Sequence, residues 1–443
     1  MKTDAMSSRA PEVVPPPDSG LKRFGVHAPV YLLLILVVFA VFGRLLTTPF
    51  WNPLDLQILA EAAQLSRDPW SMLRHLGAYF SQPILQLVFV LEYRLFGLDP
   101  AGYQAVNLFV HATNAFLVYM LVNMLFPRHR IAPLAALLFA LGVGSYGKVL
   151  MGVAQLEPLL LAMMHILVLY FFIRNDFRHE GRTTSPYYLL GLLLFVLAGF
   201  TRVSYVSLLG AIVAYKALFY RQRAGRPVLD LGLLLFAAVG AVFYIAQDRW
   251  GFESPSALRA QAEPITYTWI SIKNVFRYLV LMFFPLQTSS LLEDAPFWVS
   301  WLHTARSIIR VLITLAIISY SFFGFLFGNA AVRFFIAWTF ITVLPFSGMP
   351  ESGHWLNLTH LYVTSLGFCV ILAAGVRGTS ELLSRAGWRR LLPYLVPLYF
   401  VLLSLGLTYK LDERNRLQAE SPTMEQLWSQ LQSEISDREA GTQ

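Results

Sequence analysis

The stretch from Pro29 to Thr47, PVYLLLILVVFAVFGRLLT, decides the fold class. It contains a single charged residue, Arg44, and is otherwise a run of large aliphatic and aromatic side chains. A helix that crosses the hydrocarbon core of a bilayer needs about 20 predominantly apolar residues. This stretch therefore predicts a membrane-spanning helix that stays in the bilayer.

The composition of the whole chain extends this prediction. Of its 443 residues, 56% are hydrophobic and only 14% are charged, whereas soluble domains are about one quarter charged. The 34 Phe, 20 Tyr and 10 Trp suit lipid-facing helices with aromatic belts at the interfaces. A lone cysteine, Cys369, excludes an internal disulfide and a thiolate zinc cluster. The chain is predicted to be an all-α polytopic membrane protein.

Basic residues predict the orientation. Lys22 and Arg23 precede the first span, so the positive-inside rule places the N-terminus in the cytoplasm. Residues 1–28 are polar and Pro-rich, without a cleavable signal, and are predicted to form a disordered cytoplasmic tail. The next basic cluster, 128–130, then also requires a cytoplasmic position, so an even number of crossings separates the two.

This alternation gives about eleven transmembrane helices within a domain of residues 29–409. The C-terminal segment 410–443 is then a short extracytoplasmic tail. The predicted spans lie near 29–47, 103–126, 132–147, 151–173, 187–201, 203–220, 229–247, 305–327, 331–347, 360–376 and 391–409.

Two outer loops are long, 48–102 and 248–304. The piece 81–98 carries Glu92 and Arg94 and is too polar for lipid, so we expect an interface helix there. Such loops suggest work on a substrate at the membrane surface. The hydropathy shows no inverted repeat, which argues against a transporter, and the sequence has no P-loop or dinucleotide fingerprint.

Two local motifs carry a family resemblance. They are FGLDPAGY at 96–103, which enters the second span, and LYVTSLGFC at 361–369. Weaker likenesses lie at 277–286 and 148–173. The chain resembles the integral-membrane glycosyltransferases of the GT-C class, in the protein O-mannosyltransferase-like branch that includes relatives with tetratricopeptide repeats. The likeness covers residues 29–415 in organisation, although the motifs occupy only about a fifth of that stretch.

The resemblance implies an activity. Such enzymes move a sugar from a polyprenyl-phosphate donor to a lipid, glycan or protein acceptor on the extracytoplasmic face, here of a bacterial inner membrane. An inverting displacement needs a carboxylate that deprotonates the acceptor hydroxyl, and cations that stabilise the departing phosphate. No cofactor and no nucleic acid are expected, and a divalent metal has only Glu351 and His354 to suggest it.

Three carboxylates are the catalytic candidates. Asp55 follows the first span, where the family keeps an acidic residue; the alternative is a helix cap after Pro53. Glu61 is six residues further, which on a helix turns it away from Asp55. Glu157 lies in an apolar run after the third span and needs either a partner or a cavity. Asp55 is the candidate base.

Cations and aromatic residues are the substrate-binding candidates. Arg202 falls at an outer turn and has the fork geometry that suits phosphate, with headgroup contact as its alternative. Lys273 and Arg277 share a helical face and bind either the same phosphate or lipid headgroups. His360 replaces the family's usual Arg before Leu-Tyr, where Tyr362 belongs to the late-span motif.

Asn107, His111 and Asn114 follow i, i+4, i+7 spacing on one face of the second span. Polar side chains in a span face protein or water, so they either bond neighbouring helices or support the site.

The sequence also departs from the family pattern. The usual pair of acidic residues, the His-Pro turn and the Lys-Glu pair are all replaced. Two other functions therefore stay open. One is a non-catalytic relative that acts as a binding or assembly subunit of the envelope, and the other is a lipid-carrier transporter, which would need a polar pathway through the midplane.

Overall fold

The computed structural model describes residues 20–68, 83–127, 131–143, 148–200, 204–220, 227–249, 264–283, 301–347 and 358–440. Within these ranges the chain is helical and contains no strand. The prediction of an all-α membrane protein is confirmed for this part of the chain. Arg202, Glu351 and His354 lie outside the described residues, as do residues 1–19 of the predicted tail.

Fifteen α-helices occur in the described residues. They are α1 (Gly20–Phe42), α2 (Pro53–Arg67), α3 (Pro83–Phe96), α4 (Pro100–Leu125), α5 (Ala132–Leu141), α6 (Leu156–His179), α7 (Pro186–Gly199), α8 (Ser204–Tyr220), α9 (Leu231–Arg249), α10 (Pro264–Phe283), α11 (Trp301–Phe327), α12 (Ala330–Ser347), α13 (Leu361–Leu382), α14 (Leu395–Ala419) and α15 (Pro422–Ala440). Short 3₁₀ segments occupy Gly43–Thr47, Val153–Gln155, Leu358–His360 and Ser384–Tyr394.

Six helical stretches among the described residues are long and apolar enough to cross a bilayer. They are His27–Thr47, Pro100–Leu125, Val153–His179, Ala330–Ser347, Leu361–Leu382 and Gly387–Ala419. Shorter apolar helices lie at Ala132–Leu141, Pro186–Gly199, Tyr205–Tyr220, Leu231–Ala246 and Thr314–Phe327. The apolar stretch 29–47 falls within the first of the six.

Helix α5 covers the first part of the third predicted span, 132–147, whose residues 144–147 lie outside the described part of the chain. Helix α5 ends at Leu141, with Gly142 as its C-cap residue, and the hydroxyl of Ser404 donates to the carbonyl of Gly142 at 2.9 Å. Residues 148–152, between this helix and the next, are not helical. A side chain from a distant helix thus satisfies a carbonyl that a longer helix would have bonded internally.

A polar stripe holds the centre of the bundle together. Helix α4 packs against α1, α5 and α6, and His111 on it is fully buried. Its Nε2 lies 2.9 Å from the carbonyl of Ala140, which only accepts, so this nitrogen donates. In the neutral ring Nδ1 then accepts from the Tyr362 hydroxyl at 2.7 Å. Asn114 donates to the same hydroxyl at 3.2 Å, which links α4, α5 and α13.

We call the end of the bundle where α1 finishes and α4 begins the upper end. Here α2 and α3 pack on each other and on the start of α4. The cluster between them is completed by Met424 and Leu431 of α15. The predicted C-terminal tail, 410–443, therefore contains the last part of α14 and a helix that packs against α2.

The opposite, lower end is closed by a second polar cluster. Asp176 of α6 accepts hydrogen bonds from the hydroxyls of Tyr215 and Tyr220, at 2.8 and 2.7 Å. The buried ammonium of Lys216 pairs with Asp230, which precedes α9. These contacts fix α6, α8 and α9 to one another where the chain would otherwise bury unpaired charge.

Helix α10 belongs to the predicted outer loop 248–304, yet it packs lengthwise along the bundle. It contacts α11, α12 and α13. Near its middle, Asn274 donates to the carbonyl of Ser347 at 2.9 Å, and one to two turns later Tyr278 and Met282 are buried. The helix therefore runs from the upper end of α12 towards its centre.

Candidate functional site

Helix α2 starts in a way that fixes Asp55. Asn52 caps the helix, since its side chain accepts from the amide of Leu54 at 3.1 Å, and Pro53 occupies the first helical turn without losing a bond. Asp55 in the same turn is fully buried. Its Oδ1 accepts from the amide of Ala154 at 3.0 Å, so the side chain faces a segment about 100 residues away.

This partner, residues 148–155, is here called the 148–155 segment. It is an irregular stretch that enters α6, and its carbonyls and amides are bonded by side chains. Trp51 donates to the carbonyl of Met151 at 3.2 Å, and Asn107 donates to the carbonyl of Gly152 at 2.8 Å. With its amide oriented to satisfy both neighbours, Gln104 donates to Leu150 and accepts from Gly152, at 2.6 and 3.1 Å.

Gly152 is required where it stands. Its φ of +122° lies in a region that side chains with a Cβ rarely adopt. A Cβ at this position would lie 2.7 Å from Oδ2 of Asp55. The backbone therefore approaches the carboxyl group as closely as only glycine permits.

Burial sets the ionisation of Asp55. Removal from water raises its pKa from 3.8 to about 7, while the amides of Ala154 and Val153 and the ammonium of Lys148 oppose the shift. Oδ2 has no hydrogen-bond partner among the described residues. A carboxyl group with a pKa near neutrality and a free oxygen has the properties of a general base.

Lys148 is a cation whose charge acts on Asp55. Its ammonium lies 3.7 Å from the centre of the Trp51 ring, an arrangement that favours the charged form. Burial, together with the positive charge of Arg414, nevertheless lowers its pKa from 10.5 to about 8, while the charge of Asp55 opposes this shift. Lys148 and Arg414 together make this corner of the upper end positive.

Two further hydrogen-bond acceptors, one in the 148–155 segment and one beside it, lack a donor. Oε1 of Gln155 and Oδ1 of Asn415 are buried and have no hydrogen-bond partner among the described residues. The nitrogen of the Asn415 amide contacts the sulfur of Met151 at 3.2 Å, which places this residue of α14 against the segment. With Oδ2 of Asp55, three acceptors around one loop are short of hydrogen donors.

The other carboxylate candidates have separate surroundings. Glu61 is half-buried and accepts from Gln57 and Gln86, at 3.2 and 3.5 Å, so it links α2 to α3. Glu157 is half-buried in the first turn of α6, two residues after the 148–155 segment. Asp55, by contrast, bonds to that segment through the amide of Ala154.

The predicted substrate-binding residues in the described part of the chain fall into four groups. Asn107 bonds to Gly152 and belongs to the site, whereas His111 and Tyr362 lie in the buried stripe at the bundle centre. Lys273 and Arg277 are exposed on α10, which packs on α11, α12 and α13. His360 stacks on the Phe346 ring at 4.2 Å and 7°.

Glu92 is a buried carboxyl group that was not a site candidate from the sequence. Glu92 of α3 is 4% exposed, and neither of its oxygens has a hydrogen-bond partner in the described part of the chain. Burial raises its pKa to about 8. Glu92 lies one helical turn after Phe89, which is buried, and this spacing was the signal in the sequence. The polar residues elsewhere in the same helix made it hard to recognise.

The described residues contain no cluster of three or more His, Cys, Asp or Glu side chains that could hold a metal ion, and Glu351 and His354 lie outside them. A comparison with known protein families finds none that matches the chain, and a comparison with curated proteins finds no match either.

Replacing Gly152 with alanine tests the close approach at the site. We expect a loss of about 1–3 kcal/mol in stability, because the substitution imposes strain at a positive φ and crowds Asp55. Gly406→Ala is the matched control, since a Cβ there meets open space in α14. The measurement is the midpoint of thermal unfolding in detergent. Equal midpoints for the two variants would contradict the described geometry.

The raised pKa of Asp55 predicts how stability depends on pH. The folded state holds this proton up to about pH 7, so its contribution is present at low pH and is lost as pH rises through 7. The full loss, which begins above pH 3.8 and is complete just above pH 7, is on the order of 4 kcal/mol, of which about 2–3 kcal/mol falls between pH 5 and pH 8. Thermal unfolding of the protein and of Asp55→Asn is compared at pH 5 and pH 8.

Because other titrating groups are shared, they cancel in the difference between the two proteins. We expect the stability of Asp55→Asn, relative to that of the wild type, to increase between pH 5 and pH 8. A difference that stays constant across this range would show that Asp55 titrates near its ordinary value.

Proposed function

We propose that the chain is a membrane glycosyltransferase that moves a sugar from a polyprenyl-phosphate donor to an extracytoplasmic acceptor. The observation that carries the proposal is Asp55, a buried carboxyl group with a pKa of about 7 and an unpartnered Oδ2, beside the cation Lys148. The sequence motifs at 96–103 and 361–369 supply the resemblance that names the chemistry.

The proposed reaction is an inverting displacement. Oδ2 of Asp55 takes the proton of the acceptor hydroxyl as the acceptor oxygen bonds to the anomeric carbon of the sugar. The bond from that carbon to the phosphate oxygen breaks, and polyprenyl phosphate leaves with its electron pair. Lys148, together with Arg414, stabilises the charge of the departing phosphate. The cations proposed from the sequence for the same role are Arg202, Lys273, Arg277 and His360.

The unpaired acceptors support a hydroxylated ligand. Oδ2 of Asp55, Oε1 of Gln155 and Oδ1 of Asn415 each lack a donor around the 148–155 segment. Buried acceptors without donors cost free energy. Hydroxyl groups of a sugar or of its acceptor are donors of the kind that these atoms lack.

The proposed topology has eleven crossings in a bacterial inner membrane, with the N-terminus cytoplasmic and the upper end outside. Each of the eleven predicted spans overlaps in sequence with one of the six long or five shorter apolar helices of the described residues, which supports this proposal. The basic residues of the lower end then meet the cytoplasm, in keeping with the positive-inside rule.

A second candidate function is a non-catalytic assembly subunit of the envelope. The observation that favours it is the complete burial of Asp55, whose Oδ1 caps the 3₁₀ turn at Ala154. In this alternative the carboxyl group only fixes the 148–155 segment to α2. Catalysis instead requires the acceptor to reach Oδ2 by displacing that segment.

Donor turnover separates the two functions. The purified protein in lipid vesicles is given a panel of polyprenyl-phosphate sugars with host membrane extract as acceptor, and release of polyprenyl phosphate is followed. We expect Asp55→Asn to lose at least about a hundredfold in turnover, as loss of a general base does, and Lys148→Gln and Arg202→Ala to turn over more slowly.

Glu425→Gln is the matched control, because Glu425 is an exposed carboxylate on α15. The midpoint of thermal unfolding verifies that each variant folds. Turnover by Asp55→Asn equal to that of the wild type would exclude Asp55 as the base. Folded wild-type protein without turnover on any sugar of the panel would favour the assembly subunit.

A further inference from the structure

A cavity of about 480 Å³ lies between α10, α11, α12, α13 and the start of α14. Its wall is almost entirely aliphatic and aromatic, and its few polar groups include Thr339 and Thr379. Both hydroxyls are already used, since they donate to the carbonyls of Phe335 and Gly375 in their own helices at 2.8 Å. The cavity therefore offers a hydrocarbon environment of the size of a ligand pocket.

The mouth of the cavity faces sideways. Tyr320 of α11 and Val396 of α14 both line it, and they are 50% and 57% exposed. Their neighbours on the outside are also exposed and apolar, among them Phe323 and Leu395. In a protein that spans a bilayer, a surface of this kind faces lipid chains. An occupant would enter from the hydrocarbon core.

One end of the cavity is marked by positive charge. Pro393 of the 3₁₀ segment Ser384–Tyr394 lines the cavity, and Arg390 precedes it by three residues. A 3₁₀ helix has three residues per turn and rises about 2 Å per residue, so Arg390 lies on the same side about 6 Å further along. Arg389 is adjacent, and both side chains are exposed.

The same segment has the character of an interfacial element. Trp388, just before the two arginines, is 70% exposed, and Leu391, just after them, is 60% exposed. Aromatic and aliphatic side chains mixed with arginine suit the boundary between headgroups and acyl chains. A chain in the cavity would thus have its polar end at Arg389 and Arg390, whose guanidinium groups suit phosphate.

We propose that the cavity and these two arginines bind one anionic glycerophospholipid. One acyl chain fills the cavity, and the phosphate of the headgroup contacts Arg389 and Arg390. The site extends from the middle of α12 to the last turns of α13, whereas Asp55 lies at the upper end against the 148–155 segment. It is separate from the proposed active site, and in the proposed topology it takes its lipid from the cytoplasmic leaflet.

Native mass spectrometry of the detergent-purified full chain tests this proposal. Phosphatidylglycerol and phosphatidylcholine with identical acyl chains are titrated separately. We expect one phosphatidylglycerol to stay bound preferentially. The double variant Arg389→Gln/Arg390→Gln should weaken its binding about tenfold or more, as loss of charge-assisted hydrogen bonds does. The control Arg182→Gln removes an exposed arginine on the turn before α7 and should leave binding unchanged.

The variant Ala316→Phe tests the cavity itself, because Ala316 lines it from an exposed position on α11. We expect it to weaken the binding of phosphatidylglycerol without lowering the unfolding midpoint in detergent. Equal affinity for both lipids, or unchanged binding in either the arginine or the alanine variant, would overturn the proposal. One-for-one displacement by polyprenyl phosphate would also overturn it, since the cavity would then belong to the donor.

Discussion

The hydrogen bonding of one irregular segment is the constraint on which the upper end depends. Between α5 and α6 the chain leaves the helix, and buried backbone groups are costly when they are left without hydrogen-bond partners. Side chains from three separate regions satisfy several of them: Trp51 and Asp55 at the start of α2, Gln104 and Asn107 on α4, and Ser404 on α14. This requirement brings together elements that are far apart in sequence.

The same contacts create the chemistry of the site. Because α2 lies against the segment, the carboxyl group of Asp55 leaves water and its pKa rises to about 7. The same packing places the ammonium group of Lys148 over the ring of Trp51. The packing of α2 on this segment thus both fixes the segment and raises the pKa of Asp55. For this reason the catalytic and the assembly interpretations both start from Asp55.

Hydropathy predicted the elements whose character is local. The apolar run at 29–47 and the i, i+4, i+7 stripe that contains His111 both read directly from helix periodicity. The end of α5 at Leu141 and the packing of α15 were not predictable, because they depend on partners hundreds of residues away, such as Ser404. In the site, the position of Asp55 after the first span was visible, whereas its contact with Gly152 was not.

Infrared spectroscopy of the Asp55 carboxyl group tests the central claim most directly. The carbonyl stretch of a protonated carboxyl group is followed against pH in lipid vesicles, and the spectrum of Asp55→Asn is subtracted. We expect a band that is missing from the variant and titrates near pH 7. A band that disappears near pH 4 would contradict it, because Asp55 would then be ionised, hydrated and no longer buried beside Gly152.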